Sequence, residues 1–283
     1  MNPKSKMIIS TTLFGTLSLF VRHIPLTSAE VALFRAAIAL VCLLLFKGIK
    51  KQPLNLKGLG GDLPLLFLSG GAMGFNWIFL FEAYKYTTVS VATLSYYFAP
   101  MIVVALSPLL FREKPTRRGL VCFAGATLGL ALVVNPTSLS GSDPAKGVAF
   151  GLAAACLYAT VILLNKRITR VSGIDRTVLQ FAAAAAVLLP YVLLTTGIHL
   201  EGMDATGWLC LLAVGALHSG AAYVLYFSAL ARLPGQEAAI LSYVDPLVAV
   251  LISLTVLAEP VAPVQLVGGA MILAFTLAYE LKR

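Results

Sequence analysis

Apolar runs, each about as long as a bilayer is thick, follow one another along the whole chain and are separated by short polar connectors. A helix needs roughly 20 predominantly apolar residues to cross the hydrocarbon layer. The pattern predicts ten such spans: Met7–Val21, Ala29–Phe46, Leu63–Phe81, Val89–Leu110, Leu120–Val134, Gly147–Leu164, Thr177–Thr196, Trp208–Leu230, Glu237–Leu257 and Val264–Tyr279. The connectors leave no room for a separate soluble domain. The first span follows Lys4 and Lys6 as a signal peptide would, but Phe20-Val21-Arg22-His23 offers no small-x-small cleavage pattern, so the span is expected to be retained.

Lysine and arginine in the connectors set the orientation. Lys4 and Lys6, then Lys47, Lys50, Lys51 and Lys57, then Arg112, Lys114, Arg117 and Arg118, then Lys166, Arg167, Arg170 and Arg176, then Arg232, and finally Lys282 and Arg283 occupy alternate connectors. The other set holds only Arg22, Lys85 and Lys146. Both termini are therefore expected on the cytoplasmic side of the inner membrane. The net charge of +9 is accounted for without a nucleic-acid partner.

Composition narrows the class. Hydrophobic residues make up 59% and charged residues 12% of the 283 positions, against about 25% charged in a soluble domain. A soluble enzyme, a disordered chain and a nucleic-acid binder are excluded. Cys42, Cys122, Cys156 and Cys210 sit singly inside apolar runs, with no metal-binding spacing, and read as packing residues. No cofactor or metal is called for.

The chain repeats itself. Phe81–Pro100 (FEAYKYTTVSVATLSYYFAP) aligns without a gap on Phe227–Pro246 (FSALARLPGQEAAILSYVDP). The same shift pairs Gly74 with Gly220, Tyr97 with Tyr243, Pro100 with Pro246, Ser107 with Ser253 and Glu113 with Glu259. The unit holds five spans, an odd number, so the second copy enters the membrane from the opposite side. Inverted repeats of this kind are typical of secondary transporters. The expected fold is an all-α polytopic membrane protein of ten transmembrane helices in two inverted five-helix repeats, residues 1–140 and 141–283.

Two five-span halves, each with a central proline in its fourth span and a glutamate after it, resemble the EamA family of the drug/metabolite transporter superfamily. The residues that carry the resemblance are Pro100, Glu113 and Gly125-Ala126 in the first copy, and Pro246, Glu259-Pro260 and Gly268-Gly269-Ala270 in the second. Within that superfamily the chain resembles the YddG-type amino-acid exporters. The resemblance implies a central cavity lined mainly by spans 1, 3, 4, 6, 8 and 9, alternating access, and export of a small-molecule substrate.

The polar and aromatic residues inside the spans supply the candidates. In span 4, Thr93, Tyr96, Tyr97, Pro100 and Ser107 share one face. Span 9 repeats this with Ser242, Asp245 and Ser253, with Tyr243 alongside. Pro100 and Pro246 each leave a carbonyl one turn earlier without its donor, and a wet cavity would satisfy it. Asp245 is the one carboxylate near the middle of a span, where an unpaired charge costs about 3 kcal/mol or more. With His218 in span 8 it forms either a proton relay or a structural hydrogen bond. The expected substrate-binding set is Phe14, Asn76, Trp77, Tyr96, Tyr97, Tyr158, His218, Tyr223, Ser242 and Tyr243, with Asp245, Pro100 and Pro246 in coupling or gating. Thr11, Gly15, Ser18, Met73, Leu80 and Asn165 flank them. Arg35 is expected in a structural pair, with Glu30 or the more distant Asp245. Gly70-x-x-x-Gly74 and Gly125-x-x-x-Gly129 are expected to pack helices.

Such a lining suits a small amphipathic solute with a ring or short apolar side chain, and the resemblance implies that this is an amino acid, aromatic or otherwise apolar. Efflux of other metabolites or drug-like molecules and a passive channel are the alternatives, and proton coupling and homodimerisation are left open. An intramembrane protease is disfavoured, because Asp245 has no mid-span partner and His218-Ser219, adjacent on a helix, do not face each other.

Overall fold

Apolar runs that leave water must satisfy their own backbone hydrogen bonds, and a helix does so within one segment. The computed structural model describes residues 1–54, 59–111, 117–133, 140–171, 173–230, 232–233, 241–242 and 244–281, and among these there is no strand. The helices are α1 (Pro3–Gly15), α2 (Leu17–Val21), α3 (Ser28–Ile49), α4 (Leu59–Tyr86), α5 (Val89–Tyr96), α6 (Ala99–Phe111), α7 (Arg117–Val133), α8 (Pro144–Arg167), α9 (Gly173–Thr195), α10 (Ala205–Leu212), a π-helical stretch (Ala213–Ala221), α11 (Ala222–Leu230), α12 (Val244–Thr255) and α13 (Pro263–Glu280).

The polar residues of the connectors start these helices. Thr27 and Glu30 form a reciprocal capping box at α3. Asp143 and Asp204 accept from Lys146 N (3.2 Å) and Gly207 N (2.7 Å) at the starts of α8 and α10.

Five of the described helical stretches are long and apolar enough to cross a membrane, and shorter apolar helices accompany them. The chain is thus an all-α, multi-pass membrane protein. Two predicted spans are broken: the first at Thr16, between α1 and α2, and the fourth at Tyr97–Phe98, between α5 and α6. The beginning of the predicted ninth span, residues 237–240, and Tyr243 lie outside the described residues. Leucines face outward, Leu109 at 78% exposure and Leu194 at 86%, while Ser10, Thr11, Asn76, Gln180 and His218 are buried. Water would favour the reverse; lipid favours this arrangement.

Packing partners follow the repeat. Span 2 packs on span 7 (α3 on α9), span 5 on span 10 (α7 on α13), and span 4 on span 9 (α5 on α12). Span 1 packs on span 8 and span 3 on span 6. The α7–α13 seam is very close: a Cβ on Gly129 would stand 2.7 Å from the Gly268 carbonyl oxygen, and one on Gly268 2.5 Å from that of Gly129. Small residues at that crossing give lipid-embedded helices their dispersion contacts.

Candidate functional site

Proline chemistry opens the site. Pro100 has no N–H to offer Tyr96, and the helix ends at Tyr96 and restarts at Ala99. Pro246 lies in α12 and has no N–H to offer Ser242, which is itself helical ahead of the undescribed Tyr243. Beside the break in span 4 the two halves meet: the Tyr97 hydroxyl donates to Asp245 Oδ2 at 2.5 Å. The helix α1 closes over the same point. A Cβ on Gly15 would lie 2.6 Å from the Asp245 carbonyl oxygen and 2.7 Å from Val248 Cβ, so only glycine allows this approach.

Around the Tyr97–Asp245 bond lies a cavity of about 590 Å³. Of the residues anticipated from the sequence, Phe14, Asn76, Trp77, Tyr96, Tyr97, Tyr158, Tyr223, Ser242 and Asp245 line it, as do Thr11, Gly15, Met73, Leu80 and Asn165. The aromatic walls are mutually braced. Tyr96 stacks on Tyr158 with ring centroids 5.3 Å apart, Phe14 meets Tyr223 edge-on at 5.2 Å, and Trp77 lies 5.5 Å from Phe181. Offset and edge-on pairs of this kind fix ring positions. Asn76 donates to the Ala154 carbonyl of α8 at 2.6 Å, which leaves its amide oxygen as the acceptor.

Other expected residues lie elsewhere. His218 is fully buried but does not line the cavity: Nε2 contacts the Thr16 hydroxyl at 3.0 Å and Nδ1 the Ala213 carbonyl at 3.0 Å. It makes no hydrogen bond to Asp245, so the Asp245–His218 relay is absent from this arrangement. Pro246 is buried in α12 and does not line the cavity. Pro100 is described here only by its place in α6, and Tyr243 falls outside the described residues.

The structure also adds residues. Tyr84 and Tyr226 line the cavity, as do Arg176, Thr177 and Gln180 of α9 and Arg35 of α3. Tyr84 was signalled by the stripe Met73–Trp77–Leu80, which it continues by one turn. Arg176 is occupied: its three guanidinium nitrogens donate to the carbonyls of Val171, Asn165 and Ile168 at 2.9, 3.4 and 2.9 Å. Arg35 does not pair with Glu30. That carboxylate bonds to Thr27 and to His199 N (2.7 Å), and Arg35 bonds instead to Ser219 Oγ at 2.6 Å.

Glu259 ties one end of the molecule together. Its carboxylate pairs with Arg22 and accepts from Val89 N at 2.8 Å and from Ser253 Oγ at 2.5 Å. A second, smaller cavity of about 300 Å³, which Arg22 lines, lies at this end. Tyr84 lines both cavities. Among the described residues no group of three or more His, Cys, Asp or Glu side chains is placed to hold a metal ion.

Comparison with known proteins agrees with this architecture. The sequence model of the EamA-like transporter family matches residues 5–135 and 145–279. The chain is 29% identical over 257 residues to the "Uncharacterized transporter YxxF" of Bacillus subtilis (strain 168), covering 87% of this chain and 79% of that one. It is 28% identical over 267 residues to the "Protein PecM" of Dickeya dadantii (strain 3937), with 93% and 85% covered. A crystal structure sharing 20% identity superposes with a TM-score of 0.64 over 98% of this chain and 96% of the other, a likeness of fold.

Proposed function

The chain belongs to the EamA-like transporter family, and from that premise we propose that this membrane transporter of small molecules, which is not an enzyme, exports amino acids with aromatic or other apolar side chains by alternating access. The observation that carries the reading is the 590 Å³ cavity, built from both halves and walled by braced aromatics with a few fixed polar atoms. Its size and lining suit a single ring or short apolar side chain joined to a polar end. The proposed cargo leaves across the inner membrane, with both chain termini in the cytoplasm and the halves, residues 1–140 and 141–283, inserted in opposite directions.

Two features support alternation. Repeat mates pack on each other, and spans 1–8 and 3–6 exchange roles, as a two-fold relation between the halves requires. The cavity reaches Asn165 and Arg176, at the ends the connector charges mark as cytoplasmic. At the opposite end Tyr84 separates it from the outer pocket and Glu259 holds spans 1, 4 and 9 together. This supports loading from the cytoplasm with the outer side closed.

Proton coupling is a further part of the reading, supported by the place of Asp245 in the cavity wall. The titratable and charged groups lining the cavity with it are Arg35, Arg176, Tyr84, Tyr96, Tyr97, Tyr158, Tyr223 and Tyr226.

Growth on a toxic aromatic analogue, p-fluorophenylalanine, tests the substrate class. Expression is expected to raise the tolerated concentration, and Trp77→Ala to cancel the gain. Unchanged tolerance toward this and aliphatic analogues, with the protein present in the membrane, would remove the amino-acid assignment.

A further inference from the structure

The cavity contains a cation, Arg35, that no carboxylate contacts among the described residues; Asp245 lines the same cavity, but its carboxylate is bonded to Tyr97. Arg35 sits inside a membrane-spanning helix, is only 3% exposed, and lines the cavity. Among the described residues its one hydrogen bond is from Nε to Ser219 Oγ, and no carboxylate lies within ion-pairing distance. An unpaired guanidinium at that depth is expensive. The protein has nevertheless built a seat for it. The guanidinium carbon lies over the Trp77 ring at 4.5 Å and 5.8 Å from the centre of the Phe81 ring, a favourable placement against the ring quadrupole. Ser219 is aimed by the π-helical stretch: its hydroxyl donates to the Val214 carbonyl five residues back at 3.0 Å, so its lone pairs are left to accept from Arg35. One edge of the fork is pinned and one face is covered, which leaves the two terminal nitrogens as the donors free of protein partners among the described residues.

We propose that Arg35, held by Ser219 and Trp77, is an anion subsite of this cavity and takes the carboxylate of the substrate. The proposal rests on the reading of the cavity as the transport site and specifies the chemical class it selects. A guanidinium offers paired, coplanar donors that match a carboxylate, and Trp77 forms the floor of both the subsite and the aromatic wall. The preferred ligand is thus a carboxylate joined by a short linker to a ring or apolar chain. Amines and uncharged amides of the same shape are selected against, because they leave the guanidinium desolvated and unpaired.

The test uses the full chain purified in lipid nanodiscs. Trp77 and Trp208 are the two tryptophans, so in a Trp208→Phe background the fluorescence of Trp77 reports on the cavity. The probes are 3-phenylpropionate and 3-phenylpropanamide, which differ in the carboxylate alone. The carboxylate is expected to bind at least about tenfold tighter than the amide, as a charge-assisted bond implies. Arg35→Gln is expected to abolish that preference while leaving amide binding in place, and Arg35→Lys to retain part of it. Equal affinities in the protein with Arg35 intact, or a preference that survives Arg35→Gln, overturns the subsite. If Arg35→Gln does not fold, the comparison with Arg35 intact decides alone. If neither probe perturbs Trp77, the cavity reading falls and the subsite with it; binding of both probes with equal affinity removes only the subsite.

Discussion

Replacing Glu259 by Gln tests whether the outer closure is held by a latch. The carboxylate joins Arg22, Val89 N and Ser253 Oγ, which lie in or beside spans 1, 4 and 9. Gln keeps an oxygen that can accept from Val89 N or Ser253 Oγ, but loses the ion pair and the charge that strengthens the other bonds. Arg22 is 34% exposed, so its pair alone is worth little; Glu259, at 10%, is more shielded. Charge-assisted bonds are roughly twice as strong as neutral ones, so the loss totals about 1–2 kcal/mol. That shifts a closed–open equilibrium by roughly 5- to 30-fold. Accessibility reads this directly. In a background lacking the four native cysteines, Tyr84→Cys is labelled by a membrane-impermeant maleimide applied from outside. Glu259→Gln is expected to raise the labelling rate several-fold while the closed state still dominates. A rate unchanged by Glu259→Gln, with the protein folded and Tyr84→Cys reactive after denaturation, would refute the latch.

Further perturbations address other parts of the account. Asp245→Asn is expected to flatten the pH dependence of transport in proteoliposomes; full pH dependence in that variant would remove Asp245 from any proton step. Tyr97→Phe strips the Asp245 carboxylate of its bond to the other half and is expected to slow transport with a stability loss of about 1–3 kcal/mol, read as a lower Tm. Gly268→Leu forces apart helices whose backbones already touch, and thermal unfolding in detergent is expected to fall by the equivalent of about 1–3 kcal/mol or more. Thr16→Val removes the partner of His218 Nε2, and is expected to lower stability by about 1 kcal/mol while the affinity of aromatic probes for the cavity stays unchanged.

How far the sequence could be read follows from what each feature depends on. The walls of the cavity were legible because helical periodicity inside an apolar run marks a face: Asn76, Trp77, Tyr96, Tyr97 and Tyr158 all lie where that periodicity puts them. The break in span 4 was legible as a kink, since Pro100 lacks the donor, although its full extent at Tyr97–Phe98 was not. His218 was included for its depth near the middle of span 8, and depth alone does not say which way a side chain turns. The π-helical stretch Ala213–Ala221 adds a residue to the turn, so the phase established upstream does not carry through, and His218 turns to Thr16 instead. Arg35 could be recognised as an anomaly in an apolar span, but its partner could not. Ser219 is 184 positions away, and Glu30, the near carboxylate, is consumed by its own helix cap. Glu259 was visible as the repeat mate of Glu113, while its contacts with Arg22 and Val89 span 237 and 170 positions. Contacts of that separation are set by how the helices assemble, which no local pattern records.

Counterflow in proteoliposomes tests the central claim, that one cavity shared by the two halves carries solute by facing each side in turn. Vesicles loaded with excess unlabelled phenylalanine are diluted into a trace of labelled phenylalanine. A carrier exchanges the two, so label is expected to accumulate transiently above its outside concentration and then decay, and Trp77→Ala is expected to reduce that overshoot. Label that rises only to equality and never exceeds it, at a rate indifferent to the internal load, is the behaviour of an open pore and would contradict the account.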